Sequence, residues 1–169
     1  MTATPEPWLR GTHRELPAVH RAVLHALELA REDLERWCAP LAEAELRARP
    51  NGAPSVAFQI AHIAGSIDRL LTYAEGRTLS EAQMAALAAE ASREASPAEL
   101  FSELRSCLAE AERRLRALVG TDLESPRGVG RRALPTTVGG LLVHVADHTQ
   151  RHVGQAVTTA KLARSTAVP

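Results

Sequence analysis

Two histidines stand four residues apart in the segment His148-Thr-Gln-Arg-His152. On a helix that spacing places one imidazole above the other, so both can reach a single cation. Zinc metalloproteases use the same spacing, with a glutamate directly after the first histidine as general base. Thr149 occupies that position here, so the chemistry is not that of such a protease. The chain also lacks any Glu-x-x-His pair, which excludes the usual di-iron carboxylate pattern. The competing reading of the pair is two core histidines satisfied by hydrogen bonds.

A third ligand would have to come from a facing helix, and His62 is the candidate. It precedes Ile63 at the edge of an apolar helical face, where a partly exposed boundary residue is the alternative. His144 lies one turn before His148 and flanks the inward direction; it reads as a core or interface residue, a fourth ligand or a proton shuttle. Gln155 lies inward, one turn beyond His152, in reach of the site or its substrate. Tyr73 reads as a packing residue that could also donate a proton. Arg127, Arg131 and Arg132 form a loop cluster that is either solvated or holds an anionic substrate. His13, His20 and His25 read as surface or boundary residues. Asp147 and Arg151 form an exposed pair in the favourable acid-then-base order. Cys38 and Cys107 pack as small apolar residues.

Helices must position these groups. Leu16, Val19, Val23, Leu27, Ala30, Leu34 and Trp37 recur in steps of 3 or 4 residues and trace one face of a first helix. Pro40 and the run Pro50-Asn-Gly-Ala-Pro54 then break the chain. A second helix runs from about Ser55, with Ile63, Ile67, Leu70 and Ala74 on one face, to a stop at Gly76. Ser80-Glu-Ala-Gln83 opens a short alanine-rich helix, and Ser96-Pro-Ala-Glu99 opens a third long one carrying Leu100, Leu104, Leu108, Ala111, Leu115 and Leu118. Thr121 to Pro135 reads as a turn-rich loop. Thr136 or Thr137 caps a last helix reaching about Arg164, with an inward stripe of Val138, Leu141, Val145, His148, His152, Gln155, Thr159 and Leu162. The predicted fold is all-α: a four-helix bundle with one short extra helix. It spans residues 13–164, between an N-terminal extension (1–12) and a C-terminal tail (165–169).

Composition sets the outer bounds. The 169 residues hold 20 basic and 20 acidic side chains, a balance that argues against a nucleic-acid binder. No apolar run approaches the roughly 20 residues of a membrane span, and the first residues lack a secretory leader. Two cysteines are too few for a disulfide framework or an all-cysteine zinc site, so the expectation is a soluble cytoplasmic protein. Aromatics make up only 3% of the chain, leaving alanine, leucine and valine to build the core. Lys161 is the only lysine among the basic residues, a bias we read as genomic base composition.

The segments His62-Ile-Ala-Gly-Ser-Ile-Asp-Arg-Leu-Leu71 and His144-Val-Ala-Asp-His-Thr-Gln-Arg-His-Val-Gly-Gln155 together resemble the DinB-like, YfiT-related metalloenzymes. The resemblance covers roughly residues 13–164, and the His-x-x-x-His-x-Gly-Gln ending is its most specific part. It implies an up-down-down-up four-helix bundle, often a homodimer, with a divalent metal, zinc or nickel, on His62, His148 and His152. It also implies a small-molecule substrate, including a low-molecular-weight thiol, because relatives include bacillithiol- or mycothiol-dependent S-transferases and maleylpyruvate isomerase. A metal-dependent hydrolase, a non-catalytic metal-binding stress protein and a helical dimerisation module are the other functions compatible with the residues. Far-ultraviolet circular dichroism checks the fold: the expected spectrum is dominated by helix, and a substantial sheet signal contradicts it.

Overall fold

Pro17 fixes an extended backbone ahead of α1 (Ala18–Trp37), whose buried stripe runs Leu16, His20, Val23, Leu27, Ala30, Leu34 and Cys38. Val19 and Trp37, expected on that stripe, are only partly buried; His20 is in phase with Leu16 and Val23 and takes the inward place instead. The computed structural model describes residues 4–165. The expected extension is thus described from residue 4, and residues 166–169 of the expected tail lie outside the described residues. A 3₁₀ turn, Pro7–Leu9, lies against α1, and Arg10 forks onto the Glu32 carboxylate at 2.6 and 2.7 Å.

For His20 and His25 the expectation of a surface or boundary position is corrected, whereas the partly buried His13 keeps a boundary place. His20 and His25 are buried, and His25 Nε2 lies 3.0 Å from Thr12 Oγ1. Among the described residues neither ring nitrogen of His20 has a partner. His13 is held between the Glu28 carboxylate at 2.8 Å and the Arg116 guanidinium at 3.1 Å.

A five-residue helix α2 (Glu43–Arg47) and a 3₁₀ turn (Pro50–Gly52) shape the connection to α3 (Val56–Ala74). Neither was read from the sequence, because a single turn of helix carries no periodicity. Ser55 Oγ accepts the Phe58 N–H and opens α3. Gly76, at φ +77°, closes it: its N–H donates to Tyr73 O and that of Arg77 to Thr72 O, the two bonds of a Schellman ending. Helix α4 (Glu81–Ala89) and helix α5 (Pro97–Ala117) both begin with reciprocal capping boxes, Ser80/Gln83 and Ser96/Glu99.

Residues 121–135, expected as irregular loop, contain a hairpin instead. Strand β1 (Pro126–Val129) pairs antiparallel with β2 (Leu134–Thr137), Val129 opposite Leu134. Strands of four residues, mostly exposed, show too little alternation to be read from sequence. Gly128 allows a close approach, since a Cβ there would stand a tight 3.2 Å from the Ala133 backbone. Thr137 then caps α6 (Val138–Ser165) by accepting the Gly140 N–H at 3.1 Å.

The long helices meet in the cyclic order α1, α6, α3, α5. Contacts fix their directions. Gln150 reaches Ala26 O at 2.7 Å and Lys161 covers the Trp37 ring, so α6 runs parallel to α1. Cys107 donates to Ala64 O and Arg114 binds Asp68 and Glu75, so α5 runs parallel to α3. The molecule is therefore mostly helical with one small two-stranded sheet, and none of the described helices is long and apolar enough to cross a membrane.

Arg114 ties α5 to α3. Its buried guanidinium donates to Glu75 at 2.6 Å, Asp68 at 2.7 Å and Thr72 Oγ1 at 3.0 Å. Removing the guanidinium takes its charged hydrogen bonds from the partly exposed Asp68 and Glu75, at a cost of about 1–3 kcal/mol. Arg114→Ala should therefore lower the guanidinium chloride unfolding midpoint with an unchanged slope; a loss of only a few tenths of a kcal/mol in that titration contradicts the network's weight.

Candidate metal site

His62 sits two turns into α3, where its phase is set by the Ser55 cap. Phe58, one turn earlier, stacks on its ring at 5.5 Å and 11°. His148 and His152 lie near the middle of α6, flanked by the buried Val145 and Val153. Because α3 and α6 pack along their lengths in opposite directions, the three imidazoles converge. Ring centroids are 4.4 Å apart for His62–His152 and His148–His152, and 5.2 Å for His62–His148. One nitrogen from each ring lies within 4.8 Å of the other two.

Hydrogen bonds settle how two of the rings are presented. His62 Nδ1 lies 2.7 Å from Glu90 Oε2, and His152 Nδ1 lies 2.7 Å from Gln59 Oε1. A carboxylate and an amide oxygen only accept, so each Nδ1 carries a proton, and in the neutral ring each Nε2 keeps its lone pair. His148 Nδ1 is buried without a partner among the described residues.

These residues fit a divalent cation. Three imidazoles bound at about 2.1 Å bring their nitrogens within roughly 3.5 Å of each other, so small side-chain rotations close the cluster. The unpartnered His148 nitrogen and the acceptor-bound Nδ1 atoms of the other two are the donor arrangement such an ion uses. Among the described residues this is the one group of three or more such side chains with that spacing.

The family model of the DinB superfamily matches residues 26–156, a span that includes all three histidines. The chain belongs to the DinB superfamily. No curated protein is similar enough to match it.

Within this DinB-superfamily chain, the remaining candidates fall into place around the cluster. His144 is outside it: its ring lies 5.3 Å from that of His148, and Nδ1 pairs with Asp147 at 2.9 Å. Arg151 joins the same exposed carboxylate. Gln155 and Leu162, expected on the inward stripe, are exposed. A strict alternation of 3 and 4 residues drifts about 20° per heptad around a straight helix, so the trailing edge of that stripe turns to solvent while Thr159, nearer its centre, stays buried. Gln155 still reaches the site indirectly, its Oε1 accepting from Gln59, which is itself bonded to His152. Tyr73 lines a cleft of about 240 Å³ beside the cluster, with His62, His148, Leu70, Leu79 and Leu87.

Arg127 does not face this cleft: it donates to Ala74 O at 2.8 Å at the end of α3, and Arg131 and Arg132 are exposed in the hairpin turn. Burial pushes both thiols up to about 12, so neither Cys38 nor Cys107 is an activated nucleophile. Gln59, Arg69 and Glu90 are the site residues that sequence reasoning missed. Gln59 carried a signal, a buried polar residue one turn before His62; Glu90 carried none.

Desolvation, then the neighbouring imidazoles of His152, His62 and His144, push His148 down to about 4. Desolvation and His62 lower His152 as well. A histidine whose pKa falls on folding holds its proton more tightly in the unfolded chain, so acid favours unfolding. The stability His148 contributes is intact above its ordinary value of 6.5 and is lost as the pH falls towards about 4. Urea titrations of metal-free protein across that range should show the midpoint falling with acid, and less steeply in His148→Gln; identical pH profiles contradict this assignment.

Proposed function

We propose that this DinB-superfamily protein binds a divalent metal, zinc or nickel, through His62, His148 and His152, and acts as a thiol-dependent S-transferase or a closely related metalloenzyme. The convergence of the three imidazoles beside an accessible cleft carries the reading. The ring of contacts among α1, α6, α3 and α5, with α1–α6 and α3–α5 parallel, supports an up-down-down-up four-helix bundle as its frame.

A divalent cation in this position supplies Lewis acidity, lowering the pKa of a thiol or water that reaches it. The chain's own residues supply the rest. Glu90 and Gln59 orient two of the imidazoles, and burial keeps His148 unprotonated at neutral pH, ready to donate a lone pair. Leu70, Leu79 and Leu87 give the cleft an apolar wall, suited to a small molecule with an apolar body. In this reading the partners are small molecules and the protein is a cytoplasmic homodimer.

Metal analysis of protein purified without a nickel column tests the site, with stoichiometric metal expected. His62→Ala, His148→Ala and His152→Ala should each lose more affinity than the ~10–100-fold that follows loss of an outer contact, whereas His144→Ala should stay within that range. Loss of metal in His144→Ala with retention in His62→Ala would show that the third ligand is misassigned. Turnover of a panel of thiols and electrophiles then separates an enzyme from a binder.

A further inference from the structure

Helix α4 contributes no buried residue. It is held on α3 by polar side chains: Gln83 donates to Asp68 at 2.6 Å and to Thr72 Oγ1 at 2.9 Å. At its far end Glu90 makes two bonds at once, accepting from His62 Nδ1 at 2.7 Å and from Arg69 at 3.0 Å. The Glu90 side chain is 10% exposed and that of Arg69 11%, although neighbouring residues of α4 lie open to solvent. A carboxylate buried to that degree needs its charge matched, and Arg69 matches it.

Gly65 explains how this pair fits across α3. A Cβ there would stand 2.6 Å from Arg69 Nη1 and 2.6 Å from Glu90 Oε1. Its φ is not in the left-handed region, so an alanine there would act only by pushing the ends of these two flexible side chains aside. Glycine inside a helix is less stable than alanine would be. The chain accepts that loss at the point where the ion pair crosses.

We propose that Glu90, anchored by Arg69 in the space left by Gly65, is the positioning residue of the histidine cluster. It keeps the proton of His62 on Nδ1 and so presents the Nε2 lone pair as a ligand. Helix α4 is thereby part of the site, although it supplies no ligand itself. The consequence for metal affinity rests on the metal-binding reading above; the consequence for the His62 tautomer does not.

Two measurements test it. Nitrogen-15 NMR of the metal-free protein reads the tautomer of His62. The Nδ1–H form is expected in the wild type and in Glu90→Gln, which keeps an acceptor oxygen. Glu90→Ala and Gly65→Ala should shift the ring towards the Nε2–H form. Zinc affinity, read by chelator competition, should fall ~10–100-fold in Glu90→Ala and Gly65→Ala, and less in Glu90→Gln. Gly65→Ala separates positioning from damage: alanine favours the helix, so its melting temperature should hold while zinc affinity falls.

A wild-type His62 in the Nε2–H form, or zinc affinities of both alanine variants within twofold of wild type, overturns the proposal. If the wild-type chain binds no zinc, the metal-binding reading falls separately. The tautomer then decides the role of Glu90 by itself.

Discussion

Imidazoles packed within about a ring's width of one another repel once more than one is protonated, and here burial disfavours even the first proton. The cluster therefore holds together only if something else sets the distance between α3 and α6. That something is the apolar packing on either side of the histidines. Ile60 and Ile63 on α3, and Val145, Val153 and Ala156 on α6, are all at most 2% exposed. Sliding one helix along the other would unpack those residues before it separated the rings. The site is thus a polar gap in a register that the core dictates.

Polar contacts outside the rings do what the apolar packing cannot, which is to choose a direction for each imidazole. Phe58 stacks against one face of His62 and Glu90 fixes its edge. Gln59 does the same for His152 and is in turn held by Gln155. His148 has neighbours on its flanks but no acceptor for Nδ1 among the described residues. Arg114 acts at longer range: Asp68 and Thr72, which it holds, are also the partners of Gln83 on α4. One buried guanidinium therefore fixes α5 against α3 and shares its acceptors with the helix that ends at the site.

Most of the helical frame was legible in the sequence because its signals are local. Ser55, Ser80, Ser96 and Thr137 cap helices by side-chain bonds to backbone three residues ahead, and Gly76 ends one by its backbone conformation. The His148/His152 pair is legible for the same reason, being one turn of one helix. What was missed is short or long-range. The four-residue strands and the five-residue α2 are below the length at which a period can be read. His20 lies in phase with Leu16 and Val23, but a polar residue type does not signal its burial there. Glu90 closes an alanine-rich helix with no buried face, and only the folded chain brings it across 28 residues of sequence to His62.

The parallel run of α3 and α5 has a consequence for how this architecture can vary. A chain that leaves the end of one helix and begins a parallel neighbour must travel back along the first, about 28 Å for the 19 residues of α3. The return here is residues 75–96, and α4 lies within it, so the crossover passes directly over the face that carries His62. The floor of the cleft belongs to core helices that tolerate little change, whereas part of its roof belongs to an exposed connection. Loops of that kind accept insertions, deletions and substitutions readily. Apart from Glu90, which holds His62, a protein on this plan can therefore exchange the cover over its histidines while the helices beneath remain as they are.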